Sequence, residues 1–165
     1  MKSYSELLAM LNQVGQEAED SRKQSRRRIR TEQDLIEFAS TREGVYWIET
    51  NMPDNEIISA VKESTGKDLK VRKSKPEGKG LTSPDADGFR VVYIGTQNNI
   101  QKRLAEHLFD AGSKGTGKLR CRIDHEPFSG YEWYFSQCEI NSYSIRYAVE
   151  AWWRLNIGWP PFCIR

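Results

Sequence analysis

The chain has 165 residues, which is the size of one domain with room for a sizeable core. Its formal net charge is only +2, so total charge does not indicate a nucleic-acid partner. Cys121, Cys138 and Cys163 are odd in number and lack C-x-x-C spacing, which argues against a disulfide framework and a zinc site. No apolar run is long enough to span a bilayer. We therefore expect a soluble, cytoplasmic protein.

Positive charge is concentrated in three clusters, at residues 22–30, 67–79 and 114–122. Clusters of this kind can contact the phosphates of a nucleic acid. An ordinary solvated surface explains any one of them equally well. From these clusters we take seven candidate nucleic-acid contacts: Arg26, Arg27, Arg28, Lys73, Lys75, Lys114 and Lys118.

Apolar residues near the N-terminus recur at helical spacing and predict an amphipathic first helix; they are Tyr4, Leu7, Leu8, Leu11 and Val14. The basic run at residues 22–30 either extends this helix or forms an arm. Thr31 is a good N-cap for a second short helix in which Leu35 and Phe38 face inward. We therefore expect residues 1–42 to form a helical arm that packs on the rest of the chain or mediates dimerisation.

Residues 44–49 are rich in β-branched and aromatic side chains and predict the first strand. The next strand is predicted to begin near Phe89, so residues 51–88 are expected to be an insertion. Within it, Asp54 is a candidate cap for a helix that ends at Gly66. The polar remainder is broken by Pro and Gly, which predicts a mobile loop with at most a short strand at residues 69–71.

Residues 91–108 form the most informative stretch. A β-branched run at residues 91–95 ends in glycine and enters a helix through a polar turn, with Asn98 or Asn99 as the cap. The helix presents a stripe that would pack on the sheet, made of Ile100, Leu104 and Leu108. Arg103 and His107 are also four residues apart, so they project to the same side at the edge of the core.

A third strand is predicted at residues 131–135, and Ser142 begins the last helix, which ends at residues 158–161. Its predicted buried stripe is Ile145, Ala148, Val149, Trp152 and Leu155. Together these elements predict an α/β domain of the α+β type. Its sheet would be small, three-stranded and mainly antiparallel, flanked by helices, with the helical arm as an N-terminal extension.

Five positions resemble the pattern of the GIY-YIG nuclease superfamily. The sequence reads Gly-Val-Tyr at residues 44–46 and Tyr-Ile-Gly at residues 93–95, followed by Arg103, His107 and Glu150. In that superfamily an arginine lies ten residues after the second tyrosine, a His or Tyr follows one helical turn later, and a glutamate lies on a further helix. The resemblance covers about residues 44–162 and implies a GIY-YIG-like nuclease domain at residues 43–165.

The resemblance implies a metal-dependent endonuclease of restriction or phage type that hydrolyses double-stranded DNA by water attack. Glu150 would hold one Mg²⁺ or another divalent cation, and Arg103 would clamp the scissile phosphate. His107 would act as general base or phosphate donor. Tyr46 would orient or deprotonate the attacking water, and Tyr93 would contact phosphate or water. A homodimer is expected, because one such site cuts one strand at a time.

Each of these residues also has an ordinary structural explanation. Glu150 has Arg146 and Arg154 one helical turn to either side, so an exposed ion pair accounts for it. The competing function is a non-catalytic module that binds DNA or RNA on a GIY-YIG-like fold. The basic clusters suit both functions, whereas Arg103 and Glu150 suit only catalysis. The chain also has Cys163 where many relatives carry an asparagine after the C-terminal proline.

Overall fold

The computed structural model describes residues 3–72, 74–112 and 117–164. In chain order the helices and strands are α1 (Tyr4–Ser25), β1 (Arg27–Ile29), α2 (Glu32–Phe38), β2 (Gly44–Thr50), α3 (Asp54–Thr65), β3 (Arg90–Gln97), α4 (Ile100–Leu108), β4 (Trp133–Glu139) and α5 (Tyr143–Asn156). A 3₁₀ turn at Phe128–Gly130 precedes β4. In the described part of the chain, no helix combines the length and the apolar character needed to cross a membrane.

The sheet of this α+β fold has four antiparallel strands in the order β1-β4-β2-β3. The predicted three-stranded sheet is therefore wrong by one strand, although β2, β3 and β4 lie where strands were predicted. The additional strand β1 comes from the segment that was predicted to be a helical arm. Only Ile29 in it is buried, and a three-residue strand with two exposed arginines carries too little apolar pattern to be recognised from sequence.

Helices cover both faces of the sheet, so every residue of the central strand β2 is buried. Side chains alternate across a strand. Tyr46 and Ile48 consequently face one core, which includes residues of α2, α3 and α4. Val45 and Trp47 face a second core, which includes residues of α1 and α5.

The helix that follows β3 forms as predicted. Asn99 caps α4, and its side-chain oxygen accepts from the Lys102 N–H at 2.9 Å. The stripe of three aliphatic residues, Ile100, Leu104 and Leu108, is completely buried. Ser142 likewise caps α5 by accepting from the Ile145 N–H.

Helix α3 ends at Gly66 as predicted, with that glycine at φ 73°. Its start differs, because Pro53 occupies the N-cap and Asp54 is the first helical residue. Asp54 instead pairs with Arg90 at the beginning of β3. Residues 69–71 do not form the short strand that was considered; Leu69 and Val71 pack against the first core.

The outer helices bury different faces from those predicted. In α5, Val149 and Trp152 are buried, but Ile145 and Leu155 are exposed and Trp153 is buried in their place. The reason is that α5 packs beside α1 on the same face of the sheet, so Trp153 contacts both Trp47 of β2 and Glu19 of α1. In α1 the residues nearest the N-terminus are exposed, namely Tyr4, Leu7 and Leu8.

The C-terminal segment covers the outer edge of β3. The Phe162 N–H donates to the Val92 carbonyl at 3.3 Å, and the Cys163 thiol bonds to the backbone of Ile94. The predicted insertion attaches to this segment in turn, because the Arg72 N–H donates to the Pro161 carbonyl at 2.9 Å. The insertion and the C-terminus therefore lie together at the β3 edge.

Candidate functional site

The two tyrosines of the pattern lie on neighbouring strands and on the same face of the sheet. In the register of β2 and β3, Tyr46 is opposite Gly95 and Tyr93 is opposite Ile48. The two tyrosines are therefore diagonal neighbours. Their rings stack with centroids 6.2 Å apart and planes 14° from parallel.

Gly95 makes room for this arrangement. A Cβ atom at that position would lie 2.4 Å from the Tyr46 hydroxyl oxygen and 2.8 Å from the ring carbon that carries it. No side chain can occupy that space without moving the phenol. The glycine of the Tyr-Ile-Gly sequence thus has a steric role in holding Tyr46.

His107 is completely buried beneath the two tyrosines, and both of its ring nitrogens have partners. The Leu119 N–H donates to Nδ1 at 3.0 Å, and Nε2 lies 2.9 Å from the Tyr46 hydroxyl. Burial, assisted by the positive charge of Arg103, lowers the pKa of His107 well below its ordinary value. The neutral ring accepts at Nδ1, so Nε2–H donates to Tyr46. This geometry favours a positioning role for His107 over a general base.

The guanidinium of Arg103 reaches the same pair of phenols. It forms an ion pair with Glu106 at 2.6 Å, and its positive charge acts on both phenols. Its Nη2 also donates to the Gly117 carbonyl oxygen at 3.2 Å. The Tyr93 hydroxyl donates to that same oxygen, again at 3.2 Å. Two of the predicted catalytic groups therefore converge on a single acceptor.

Both phenols are protonated at neutral pH. Burial raises the pKa of Tyr46 well above its ordinary value and that of Tyr93 to about 12, while Arg103 opposes both shifts. The hydrogen bond that Tyr46 Oη accepts from His107 favours the phenolate form, but burial outweighs it. Tyr46 would therefore act as a base only with further positive charge nearby.

Glu150 approaches the same edge of the sheet from the opposite helical layer. Burial is the main cause of the raised pKa of Tyr93, and the negative charge of Glu150 adds a smaller contribution. Its carboxylate pairs with Arg154, as one sequence interpretation predicted, but neither side chain is fully exposed. Burial raises the pKa of Glu150, and Arg154 opposes the shift.

A cavity of about 440 Å³ opens beside these groups. It is lined by Lys70, Tyr93, Gly117, Arg154, Phe162, Cys163 and Ile164. The fold therefore brings Tyr46, Tyr93, Arg103 and His107 into direct contact. Glu150 is not in contact with them; it pairs with Arg154, which lines the cavity together with Tyr93.

No match is found for this chain among known protein families, curated proteins or solved structures. The function of the site is therefore inferred from its own residues.

The side chains near the cavity offer few ligands for a metal ion. Within residues 3–72, 74–112 and 117–164, no three His, Cys, Asp or Glu side chains lie together as a metal cluster. Mg²⁺ needs only one or two carboxylates when a substrate phosphate and water complete its shell. Glu150 provides one such carboxylate near the cavity, provided that Arg154 releases it.

The three arginines predicted to contact nucleic acid, all from the first basic cluster, are not at this site. Arg26 donates twice to the Glu49 carboxylate, each time at 3.0 Å, and its guanidinium carbon lies 3.7 Å from the Tyr134 ring centroid. Arg27 lies 3.9 Å from the Phe38 ring centroid. Arg28 pairs with Glu132 at 3.0 Å. All three lie on or beside β1, at the sheet edge opposite to β3.

The four lysines predicted to contact nucleic acid have different environments. Lys118 is only 7% exposed, and its ammonium group donates to the Ala111 carbonyl at 3.3 Å, so it is part of the interior rather than a surface contact. Lys75 is exposed. Lys73 and Lys114 lie outside the described residues.

Four basic residues that do lie near the site were not among the predicted nucleic-acid contacts, although Arg154 was predicted as an ion-pair partner of Glu150. Lys70 and Arg154 line the cavity beside Tyr93, and Lys67 and Arg120 line an adjoining cavity. Lys67, Lys70 and Arg120 belong to the basic clusters at residues 67–79 and 114–122, so the sequence did indicate that basic residues lie in these segments. Only the attachment of the insertion to the C-terminal segment shows which cluster members face the tyrosines.

Proposed function

We propose that this chain is a GIY-YIG-type endonuclease, a metal-dependent hydrolase of phosphodiester bonds in double-stranded DNA, of restriction or phage type. The main support is the convergence of the Tyr93 hydroxyl and the Arg103 guanidinium on one oxygen, the carbonyl of Gly117. A phosphate oxygen that displaced this carbonyl would accept the same two hydrogen bonds. Because one of the donors is charged, these bonds would be stronger to phosphate than to a carbonyl.

The remaining groups have distinct tasks in this mechanism. Arg103 neutralises charge that develops on the phosphoryl oxygens. His107 donates to Tyr46 and so fixes the phenol that orients the attacking water. Glu150 is the residue that would hold Mg²⁺, whose chemistry is to polarise the phosphate and stabilise the leaving oxygen.

Cys163 can provide the support that an asparagine gives in the resembled superfamily. Its thiol accepts from the Ile94 N–H at 3.4 Å and donates to the Ile94 carbonyl at 3.3 Å. Burial raises the pKa of the thiol to about 11, so it stays protonated and can do both. These bonds fix β3 at the residue next to Tyr93.

The second candidate function is a module that binds DNA or RNA without cleaving it. The observation that favours it is the ion pair between Glu150 and Arg154, because it engages the proposed metal ligand. With that carboxylate neutralised, the cavity beside Tyr93 retains Lys70 on its wall and suits an anion.

Plasmid nicking in Mg²⁺, with and without a chelator, separates the two functions. We expect Glu150→Gln to lower the nicking rate at least about 100-fold, the usual effect of removing a charge-stabilising group from an active site. Glu63→Gln, at an exposed position on α3, is the matched control and should keep the wild-type rate. An unchanged rate in Glu150→Gln would refute the proposed mechanism. DNA binding without nicking by the wild-type protein would favour the binding module.

A further inference from the structure

A second cavity adjoins the proposed active site. Its volume is about 270 Å³, and it shares four lining residues with the cavity beside Tyr93: Lys70, Gly117, Phe162 and Ile164. The two cavities therefore form one continuous depression along the β3 edge. We call the second cavity the side pocket; it is lined by Val61 of α3, residues 67–70, Gly117, Arg120 and two residues of the C-terminal segment.

The walls of the side pocket combine apolar and basic groups. The apolar residues are Val61, Leu69, Phe162 and Ile164. Three basic residues line it as well: Lys67, Lys70 and Arg120. Its acidic residue, Asp68, pairs with Lys62 at 3.2 Å. The pocket thus has an apolar part and an excess of positive charge.

This combination is selective for one kind of occupant. A sugar-phosphate backbone alone would be bound by the basic groups and would gain nothing from the apolar wall. A DNA duplex cannot enter a space slightly smaller than the range of about 300–1,000 Å³ that holds small organic ligands. A single nucleobase presents an apolar π-face to a wall and still carries its phosphate to the basic groups. The guanidinium of Arg120 can in addition stack on a ring.

We infer that the side pocket binds one unpaired nucleotide of the substrate strand, next to the phosphate held by Tyr93 and Arg103. The inference rests on the proposed function, because the position of the scissile phosphate defines the neighbouring nucleotide. It makes DNA with an extrahelical or otherwise unpaired nucleotide beside the cleavage point the preferred substrate among double-stranded DNAs. Extruding a base costs least where it is already unpaired, so such DNA is bound preferentially.

The test is binding without cleavage, with Glu150→Gln in chelator. Two short duplexes carry the fluorescent base 2-aminopurine, one in a single-nucleotide bulge and one fully paired. We expect the bulged duplex to bind on the order of 10-fold more tightly, the lower part of the range for stacking one base on a protein. The fluorescence of the bulged base should change on binding, and that of the paired base should not.

Lys67→Glu tests the pocket itself, because Lys67 is exposed and lines the side pocket without lining the cavity beside Tyr93. It should abolish most of the preference for the bulge. Lys23→Glu makes the same charge change at an exposed position on α1 and should retain the preference. Equal affinity for both duplexes, or a preference that survives Lys67→Glu, would overturn the inference and leave the nicking result unaffected. Bulge-specific binding together with no wild-type nicking would support the side pocket and refute the nuclease proposal.

Discussion

At the scale of single residues, the hydrogen bonds of His107 determine how the site is protonated. The Leu119 N–H occupies Nδ1, so the proton of the neutral ring lies on Nε2 and is donated to Tyr46. Helical spacing predicted that His107 lies beside Arg103. It did not predict that the chain returns 12 residues later to bond the ring, and that bond decides whether the histidine is a base or a positioning group.

The burial of His107 has a measurable consequence for the stability of the protein. The folded pKa of His107 lies below that of the unfolded chain, so acidification makes the unfolded state bind more protons. The contribution of neutral His107 to the free energy of unfolding is fully present above the pKa of about 6.5 that histidine has in the unfolded chain, and it is lost as the pH falls below that value. We expect the free energy of unfolding to fall by up to about 1.4 kcal/mol per pH unit from this group. Urea unfolding at pH 7.5 and pH 5.5 measures the effect.

The matched variant is His107→Gln, which keeps a polar side chain but cannot titrate. Acidification should reduce the stability of the wild type more than that of the variant. The two proteins share all their other titratable groups, whose contributions therefore cancel in the comparison. Parallel pH profiles for the two proteins would contradict the buried, neutral state of His107.

At the scale of elements, a buried carboxylate helps to hold α1 on the fold, together with Leu11 and Val14 from the C-terminal part of its apolar stripe. Glu19 is only 3% exposed and accepts from the Trp153 indole at 2.5 Å and from Arg22 at 2.7 Å. The sequence pattern placed Glu19 in an acidic continuation of the helix and Tyr4 and Leu7 on its packing face. In the structure Tyr4 is 81% exposed, because α5 meets only the later turns of α1.

We expect Glu19→Ala to destabilise the protein by about 3 kcal/mol, because it removes one partner of a buried ion pair and leaves the Trp153 N–H without its acceptor. Urea unfolding measures this free energy. Glu17→Ala, at an exposed position on the same helix, should change it by less than about 0.5 kcal/mol. Equal effects of the two substitutions would show that α1 does not depend on this contact.

At the scale of the whole molecule, the basic groups lie at two opposite edges of the sheet. The arginines of β1 are separated from the site strand β3 by β4 and β2. Adjacent strands are about 4.8 Å apart, so the two edges are separated by about 14 Å. Arg26 and Arg28 are engaged in ion pairs. We therefore expect the β1 edge to contribute less to DNA binding than the depression along the β3 edge.

The salt dependence of DNA binding distinguishes the two edges. The logarithm of the DNA affinity falls linearly with the logarithm of the salt concentration. If Lys67 and Lys70 each contact one phosphate, replacing both by alanine should make this slope less steep by about 1.4–1.8. The corresponding change at Arg27 and Arg28 should leave the slope nearly unaltered. Filter binding or fluorescence anisotropy between 50 and 200 mM salt measures both. A larger loss from the arginine pair would place DNA on the β1 edge.

By itself the sequence determined the features that depend on neighbours along the chain. The cap and stripe of α4, the strands around Tyr46 and Tyr93, and the adjacency of Arg103 and His107 follow from spacings of two to four residues. Only the tertiary structure decided the rest: strand β1, the buried face of α5, the occupied nitrogens of His107, and the groove that Lys70 shares with Phe162. These depend on segments far apart in the chain, whose packing is set by shape and by competition for burial rather than by any local period.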